Sequence, residues 1–571
     1  MSIAESKREK IGSIYNGNLF EIPTYQRKYS WTDKERKELW DDIKEAFENN
    51  INHFFGTLIF KRSDNENSLE EVYEIIDGQQ RTTTLFILLD VLITKLSNGD
   101  RKEDLIEAFI HKRKKLKLLP LGRDKDFLEE LILNYDSIQF SSIQKRSQKN
   151  LYNAKKEFLN LISSYNENEI LKLINFIRNN VEVLVLVVEK QSEAIRMFEI
   201  INDRGLELSY LDKIKSILML YSTMYVDDSL NTIINDNFEI IFDSNDDIFM
   251  QKDELKILNR FDENETLFTH HYIRARQHLS ETWNYRNGAK KIFNSIKNKC
   301  ESLKGDKDKL KKFIIDYTTD FANFANSYSN MINEIPKHSK YIEAFQFLEF
   351  SATMYPLVVT LYQQEKLDDL LEILISVEVR VYKFKGTNPR ADIPSLCNAI
   401  SEEEWTVSEI EDWLIWFREK FMNDGNFKYS LNENIYGNNA VKYLLLKYNN
   451  NLDSSKIINS TSEYQNLQIE HIFPQGGDNG VQFDITSFDF EDESEYEYTI
   501  DKIGNLILLE KELNSGSDVS DLTPKEKVHG YLKSQVTDTN KTAGAIDKNG
   551  FNKEKLEDRT ALIIDYCISN F

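Results

Sequence analysis

The sequence has few of the residues that interrupt helices: 20 glycines and 8 prolines among 571 residues. This scarcity argues against long turn-rich linkers, and the long stretches with 3.6-residue periodicity favour a mostly helical protein. Cysteine is also scarce. Cys300, Cys397 and Cys567 are far apart and form no CxxC pair, which excludes a disulfide framework and fits a reducing cytoplasm.

Long apolar runs are missing as well. Residues 84–96 are apolar but include Asp90, and the β-branched run at 181–188 has the length of a strand. The first eight residues, MSIAESKR, lack the apolar core of a signal peptide. We therefore expect a cytoplasmic protein without membrane contact.

An excess of positive charge is absent too, because the formal net charge is −23. Such acidity excludes indiscriminate coating of DNA, but the 72 lysines and arginines still permit a local basic groove. A hydrophobic content of 40% is normal for a folded protein, and the length predicts two to four domains.

The first informative motif is Asp77-Gly78-Gln79-Gln80-Arg81. A strand at 72–76 runs into it and a buried helix is predicted from Thr82. A helix N-terminus with a glycine turn and an arginine predicts anion binding, since unpaired backbone N–H groups and a planar cation both suit phosphate. The alternative is a plain turn capped by Thr82 or Thr83. No GxxxxGK[ST] segment is present, so a nucleotide site here is not of the Walker type.

Two further segments add candidates. Residues 22–31 are aromatic and basic and precede a helix that starts near Thr32. Their aromatic side chains are more often core than base-stacking groups, which leaves Gln26 and Arg27 as the functional candidates. Residues 202–205 have the composition of a helix end, but that reading does not explain Arg204. Asp212 and Lys215, three residues apart on a helix, are suited to pair with each other.

These motifs together resemble the S-type N-terminal domain of the GmrSD family of modification-dependent (type IV) restriction systems. That domain is similar to the ParB/sulfiredoxin fold, in which a strand–turn–helix arginine motif handles nucleotide phosphates. The matching segments are Pro23-x-Tyr25-Gln26-Arg27-x-Tyr29-x-Trp31, Phe55-Gly56, Asp77-Gly78-Gln79-Gln80-Arg81-Thr82-Thr83, and Asn202-x-Arg204-Gly205 with Leu208, Asp212 and Lys215.

The resemblance covers roughly residues 10–225 and implies a domain that binds or hydrolyses a nucleoside triphosphate and senses DNA. The residues that it assigns to the nucleotide are Asp77, Gly78, Gln79, Gln80, Arg81 and Thr82, helped by Gln26, Arg27 and Arg204.

A second motif, near the C-terminus, suits a metal-dependent nuclease. Glu470-His471 ends one predicted strand, Asn505 enters a second strand at 503–509, and Asn514 follows it. Histidine titrates near neutrality and is suited to activate water, while carboxylate and amide oxygens suit Mg²⁺ or Mn²⁺. A buried structural histidine is the alternative. Adjacent strand residues point to opposite faces, so Glu470 and His471 share one site only if the strand breaks near Pro474.

This segment resembles the HNH domain that forms the D-type half of GmrSD proteins, and Asn514 stands where the familiar HNH pattern has histidine. The resemblance implies a ββα-metal hairpin with His471 as general base, Glu470 and Asn514 at the metal, and Asn505 as catalytic or supporting residue. It also implies DNA contact by Lys527, whose alternative is a solvated helix face. The matching positions are Glu470-His471-Ile472-x-Pro474-Gln475, Ile503-Gly504-Asn505-Leu506-x-Leu508-Leu509, Asn514, Lys527, Tyr531, Ser534 and Arg559.

The predicted architecture is α+β and mostly helical. Residues 1–225 are predicted to form a ParB/sulfiredoxin-like α/β module, residues 226–345 a helical connection, and residues 346–571 a helical domain carrying the HNH hairpin. An acidic, aromatic stretch at 484–501 separates the two predicted strands. It is either a solvated loop or a segment that occludes the DNA groove until a ligand binds.

The predicted function is a nucleotide-regulated, Mg²⁺- or Mn²⁺-dependent DNA endonuclease that restricts modified phage DNA. NTPase activity and a homo-oligomeric assembly belong to the same prediction. Two alternatives remain open. One is a non-cutting, ParB-like DNA-binding regulator with a structural HNH fold. The other is a toxin-like nuclease acting on RNA or self DNA.

Overall fold

The computed structural model describes most of the chain, and its residues cluster into two compact units. The first unit comprises Met1–Met250 and Asp262–Asn326, and the second comprises Gln251–Phe261 and Ser327–Phe571. The described residues are 3–15, 17–23, 26–63, 71–113, 115–120, 124–143, 145–189, 209–227, 229–251, 258, 264–281, 288–389, 391–475, 483–515 and 522–571.

A six-stranded mixed sheet forms the centre of the first unit, with strand order β1-β8-β3-β4-β2-β7. The β-branched sequence VEVLVLVV forms an interior strand as predicted, because both of its edges are paired: antiparallel to β1 and parallel to β3. The strands, including the two-stranded β5–β6 ribbon, are β1 (Ile3–Lys10), β2 (Leu19–Ile22), β3 (His53–Arg62), β4 (Val72–Asp77), β5 (His111–Lys112), β6 (Lys115–Leu116), β7 (Leu118–Pro120) and β8 (Val181–Val188).

Helices surround this sheet, and the most apolar of them, α3, is buried along nearly its whole length. Its sequence is hydrophobic on every side, which is the pattern of a helix enclosed by the core. The first helices are α1 (Ile11–Tyr15), α2 (Asp33–Glu48), α3 (Gln79–Thr94), α4 (Asp100–Phe109), α5 (Asp124–Leu133), α6 (Arg146–Leu161) and α7 (Glu167–Asn180), with 3₁₀ turns at Tyr135–Ser137 and Phe140–Ser142.

A second, purely helical core follows in the same unit, with Ile214, Phe238, Ile296 and Phe321 among its buried members. The predicted helical character of residues 226–345 is therefore confirmed for the described residues. The helices are α8 (Tyr210–Tyr225), α9 (Ser229–Met250), α10 (Glu265–Leu279), α11 (Gly288–Leu303) and α12 (Lys307–Glu334). The boundary between the units falls within α12, whereas the three-part division at residues 225 and 345 stays a prediction.

In its described residues the second unit is helical apart from one two-stranded hairpin, β9 (Leu467–His471) and β10 (Leu506–Glu510). Its helices are α13 (Ser339–Ile342), α14 (Tyr355–Gln363), α15 (Leu367–Val377), α16 (Asp392–Glu402), α17 (Val407–Met422), α18 (Asp424–Leu431), α19 (Val441–Leu452), α20 (Thr461–Asn466), α21 (Glu493–Ile500), α22 (Lys511–Asn514), α23 (Pro524–Tyr531), α24 (Thr537–Asn549) and α25 (Lys553–Asn570). Short 3₁₀ helices lie at Ile335–Lys337, Ala352–Met354, Ile485–Phe488 and Ile503–Asn505, and π-helical segments lie at Glu343–Phe347 and Glu378–Phe384. The predicted α+β, mostly helical class is confirmed.

The acidic stretch at 484–501 is not a solvated loop, and that expectation is wrong. Its aromatic and aliphatic residues Phe490, Tyr496 and Ile500 are buried in the core around Phe473. Tyr496 donates a hydrogen bond to the Pro474 carbonyl at 2.7 Å. Apolar side chains at these positions drive the segment inward, while its carboxylates, apart from that of Asp501, stay toward the surface.

None of the helices in the described ranges is long and apolar enough to span a membrane.

Candidate functional sites

Helix α3 begins three residues earlier than the sequence predicted, at Gln79 rather than Thr82. Gly78 precedes it with φ +90°, a left-handed conformation that favours glycine, and a Cβ there would lie 2.2 Å from Leu58 Cδ2. Gln79, Gln80 and Arg81 therefore form the first turn, whose backbone N–H groups lack helical acceptors. Thr82 and Thr83 lie inside the helix, so neither is the cap.

Arg81, in the first turn of α3, ties this turn to strand β3. Its guanidinium donates to the carbonyls of Phe55 at 3.0 Å and Thr57 at 2.9 Å, and its Nη2 lies 3.5 Å from Asp77 Oδ2. Gly56, at φ +108°, makes this possible, since a Cβ there would lie 1.9 Å from Arg81 Nη1. Burial raises the pKa of Asp77, and the Arg81 charge opposes that rise. The structure thus gives Asp77, Gly78 and Arg81 a framework position.

A partly open cleft lies beside the first turn of α3. It gathers four of the residues predicted to handle the nucleotide: Gln26, Arg27, Gln79 and Gln80. The other lining residues are Ile22, Pro23, Lys28, Tyr29, Thr83, Pro120, Asp124, Leu128, Leu151, Lys215, Glu239 and Phe242. Asp77, Gly78, Arg81 and Thr82 are not among them, and Arg204 lies outside the described residues.

Two glutamines fix the walls of the cleft. Gln80 Oε1 accepts from the Ser30 N–H at 2.8 Å and its Nε2 donates to the Lys28 carbonyl at 3.0 Å, which ties residues 28–30 to α3. Gln26 Nε2 donates to the Ile76 carbonyl at 2.7 Å. Gln26 Oε1 is buried and has no hydrogen-bond partner among the described residues. An unpaired buried acceptor is costly, so a donor from a ligand is favoured at this position.

The charged side chains of the cleft are three cations and two carboxylates: Arg27, Lys28, Lys215, Asp124 and Glu239. Burial lowers the pKa of the Lys215 ammonium to about 7, and the charges of Asp212 and Glu239 oppose that fall. Lys28 forms an ion pair with Asp243. The sequence offered Lys215 as a partner for Asp212 and as a matching position of the family, but not as a nucleotide ligand, and it gave no sign of Lys28 or Asp124. These side chains converge because segments far apart in the chain pack together.

At the C-terminal hairpin, His471 lies at the end of β9 and is only 6% exposed. Its Nε2 is 2.8 Å from Asp501 Oδ1, which also accepts from Gln475 Nε2 at 3.1 Å. The Tyr436 ring packs edge-on against the imidazole at 4.4 Å. Burial lowers the pKa of His471, and Asp501 opposes that shift. A carboxylate only accepts, so Nε2 carries the proton and Nδ1 is left as the basic nitrogen.

Asn505, predicted as a catalytic residue, is fully buried and holds the backbone. Its side chain accepts from the Phe473 N–H at 2.8 Å and donates to the carbonyls of Phe473 at 2.9 Å and Ile500 at 2.7 Å. These three bonds fix the chain where it leaves β9, directly after His471. Asn505 is therefore a positioning residue, the second of the two roles that the resemblance implied.

Lys527 is only 1% exposed, which corrects the prediction that it contacts DNA. Its ammonium donates to Glu470 Oε1 at 2.7 Å and to the His471 carbonyl at 2.7 Å. Tyr531 donates to the same Glu470 oxygen at 3.0 Å. The physical reason is that α23 packs its inner face against β9, so both side chains face the hairpin instead of solvent.

Glu470 and His471 are the last two residues of β9, so the strand ends at His471, before Pro474. Their hydrogen-bond partners differ: Lys527 and Tyr531 for Glu470, Asp501 for His471. Asn514 donates to Gln468 Oε1 at 2.9 Å, and Gln468 shares a strand face with Glu470. The carboxylate and amide oxygens suited to Mg²⁺ or Mn²⁺ are therefore those of Glu470, which directly precedes His471 in the chain, and of Asn514.

Replacing Asp501 with alanine is expected to lower catalysis by the hairpin about 10- to 100-fold, less than loss of the base itself. Since Asp501 raises the His471 pKa, the acidic limb of the rate–pH profile should move to lower pH. The measurement is a pH series of nicking rates, with Glu497→Ala on the same acidic segment as control. An unchanged rate and profile in Asp501→Ala would show that Asp501 does not orient His471.

Two segments of the chain match known protein families. Residues 9–219 match the GmrSD restriction endonuclease, N-terminal domain, and residues 419–566 match the GmrSD restriction endonucleases, C-terminal domain. No curated protein matches the chain. The first segment contains all of the cleft except Glu239 and Phe242, and the second contains the whole hairpin.

Proposed function

Because this chain belongs to the GmrSD family of restriction endonucleases, we propose that the β9–β10 hairpin is an HNH-type nuclease site that hydrolyses DNA with Mg²⁺ or Mn²⁺. We also propose that the cleft beside α3 binds a nucleoside triphosphate that regulates this cleavage. The DNA expected as substrate is modified phage DNA, which makes defence the biological role. The observation that carries the proposal is the buried His471, held by Asp501 with one ring nitrogen left basic.

In the cleavage step, His471 Nδ1 takes a proton from the attacking water while Asp501 stabilises the resulting imidazolium. Asn505 holds the backbone behind the imidazole, so the base keeps its orientation. Tyr436 and the surrounding core exclude bulk water from one side of the ring. All three contacts serve to fix one tautomer and one direction of proton transfer.

The residues for the metal are Glu470 and Asn514, whose carboxylate and amide oxygens are the hard donors that Mg²⁺ and Mn²⁺ prefer. When bound, such an ion stabilises the charge on the phosphate and on the leaving oxygen. Lys527 and Tyr531 both bond to Oε1 of Glu470, so Oε2 would be the oxygen that holds the metal. Lys527 then balances the negative charge of the carboxylate from the protein side.

The cleft supports the nucleotide part of the proposal by its charge and shape. The first turn of α3 presents backbone N–H groups, and Arg27, Lys28 and Lys215 supply cations. Tyr29 and Phe242 add aromatic surface. This combination suits a ligand with both a polyphosphate and a planar base, whereas an inorganic anion would leave the apolar wall uncovered.

One contact favours a second candidate, a DNA-binding regulator that does not cut. Glu470 is already neutralised by Lys527, as expected for a structural ion pair in an inactive hairpin. In that case the hairpin serves only to stabilise the second unit. Metal-dependent nicking separates the two candidates.

The deciding experiment incubates the full chain with modified and unmodified phage DNA, with Mg²⁺ or Mn²⁺, and with or without each nucleoside triphosphate. The expected result is metal-dependent cleavage of modified DNA whose rate changes with one nucleotide. A cleavage rate that is the same with and without each nucleotide would show that the nucleotide does not regulate cleavage. No cleavage under any condition, together with retained DNA binding, would favour the regulator.

A further inference from the structure

A cluster of two histidines and an aspartate lies in the helical core of the first unit, in a region where the sequence offered no motif. His270 and His278 belong to α10, and Asp320 belongs to α12. The Nε2 atoms of the two histidines lie 2.9 and 2.8 Å from the same oxygen, Asp320 Oδ2. Among the residues that the structure describes, no other His, Cys, Asp or Glu group of three brings its ligand atoms within 4.8 Å of one another.

Packing holds the ligand atoms in place. His270 is fully buried, its ring stacks on Phe321 at 4.6 Å, and Tyr317 lies edge-on at 5.7 Å. Tyr317 also lies edge-on to His278 at 5.5 Å. The Asp320 side chain, by contrast, is 25% exposed, so solvent reaches the open side of the cluster. The site is therefore pre-organised and has an entry path, which are two of the requirements for metal binding.

The donor set indicates which ion fits. Imidazole nitrogens suit borderline ions such as Zn²⁺ and Co²⁺, whereas Mg²⁺ and Ca²⁺ prefer all-oxygen sites. Two imidazoles and one carboxylate form a three-ligand set with a fourth position open to water. We propose that His270, His278 and Asp320 bind a zinc-type divalent transition-metal ion, distinct from the Mg²⁺ or Mn²⁺ of the nuclease hairpin.

Arg274 is the strongest argument for a purely hydrogen-bonded cluster. It lies one helical turn from His270, and its Nε is 3.6 Å from Asp320 Oδ2. A guanidinium at that distance repels a second cation, which lowers the affinity. Arg274 also orients the Asp320 carboxylate, as outer-shell partners of metal ligands do. Its single positive charge is smaller than the double charge of a divalent ion. His270 Nδ1 is buried and has no hydrogen-bond partner among the described residues, so ring packing and the contact of Nε2 with Asp320 set the orientation of this ligand.

Metal binding at this position ties α10 to α12 inside the first unit. An ion that binds the folded state alone raises the melting temperature of the unit as its concentration increases. This inference does not depend on the proposed nuclease function, because the cluster lies in a different compact unit from the hairpin.

The test uses the full-length protein after treatment with a chelator, followed by addition of Co²⁺ as a spectroscopic probe and of Zn²⁺ for stoichiometry and melting. The expected result is one bound equivalent, the intense visible absorption of a low-coordinate Co²⁺ site, and a higher melting temperature with Zn²⁺. The variant His278→Gln should lose all three, while His338→Gln, which changes an exposed histidine, should keep them. Asn514→Ala should also keep them, because it alters only the hairpin.

Two results would overturn the proposal. One is the absence of the Co²⁺ absorption in the wild-type protein, which identifies a hydrogen-bonded cluster braced by Arg274. The other is retention of the bound equivalent by a folded His278→Gln variant. If circular dichroism shows that this variant does not fold, Asp320→Asn, which keeps the side-chain volume, replaces it in the same comparison.

Discussion

Replacing His471 with alanine is expected to abolish DNA cleavage and to leave the fold intact. The imidazole is the basic group of the hairpin, and loss of a general base costs about 10²–10⁴-fold in rate. Its side chain bonds only to Asp501 at the margin of the core, whereas the hairpin itself is held by Asn505 and by the β9–β10 ladder. The measurement is nicking of supercoiled DNA beside circular dichroism melting curves.

The matched control is His338→Ala, which removes an exposed histidine from the same unit. It should cleave at the wild-type rate. Full activity in His471→Ala would show that His471 is not the general base and that another group near the hairpin activates the water. Lost activity with a lowered melting temperature would indicate a folding defect instead, and Asp501→Ala then provides the milder test of the same pair.

Replacing Lys215 with methionine is expected to weaken nucleoside triphosphate binding about 10- to 100-fold. A charge-assisted hydrogen bond from a buried ammonium contributes about 1.5–3 kcal/mol, and methionine keeps the length of the side chain without its charge. Isothermal titration with each triphosphate measures the loss. Lys213→Met, on the same helix but outside the cleft, is the control and should bind normally.

The same site predicts a pH dependence. The Lys215 pKa is lowered to about 7, so the ammonium is fully charged below that pH and loses its proton as the pH rises through it. Affinity for a triphosphate should therefore fall between about pH 6 and pH 8. In Lys215→Arg the charge persists throughout this window, and the fall should disappear. Parallel pH profiles for the two proteins would show that Lys215 does not contact the phosphates.

The turn at Asp77–Arg81 shows why sequence motifs predict secondary-structure elements better than they predict what an individual side chain binds. Alternating and β-branched residues placed β3, β4 and β8 nearly where they occur, because hydrophobic periodicity is a local property. Arg81 was assigned to phosphate from its planar charge, its place at a helix N-terminus and the family resemblance. In the structure its guanidinium donates to the carbonyls of Phe55 and Thr57, and that contact requires the distant Gly56 to leave space.

The catalytic residues of the hairpin were likewise only partly predictable from the sequence. Glu470, His471, Asn505 and Asn514 were selected from their order, and that order fits a ββα arrangement. Asp501 escaped notice because the acidic stretch that contains it looked like a solvated loop. Its inward-facing aromatic residues fold that stretch into the core and bring Asp501 Oδ1 to the imidazole, a pairing between residues 30 positions apart.

The sequence by itself determined the helical class, the order of the two motif-bearing regions, the positions of most strands and the family. Composition, periodicity and ordered motifs are properties of the chain read in one dimension. Only the tertiary structure decided which side chains share a site: Lys215 with Gln26 in the cleft, Asp501 with His471, and Asp320 with two histidines of α10. The reason is that such groups converge when distant helices and strands bury their apolar faces together, and the direction of each polar side chain follows from that packing.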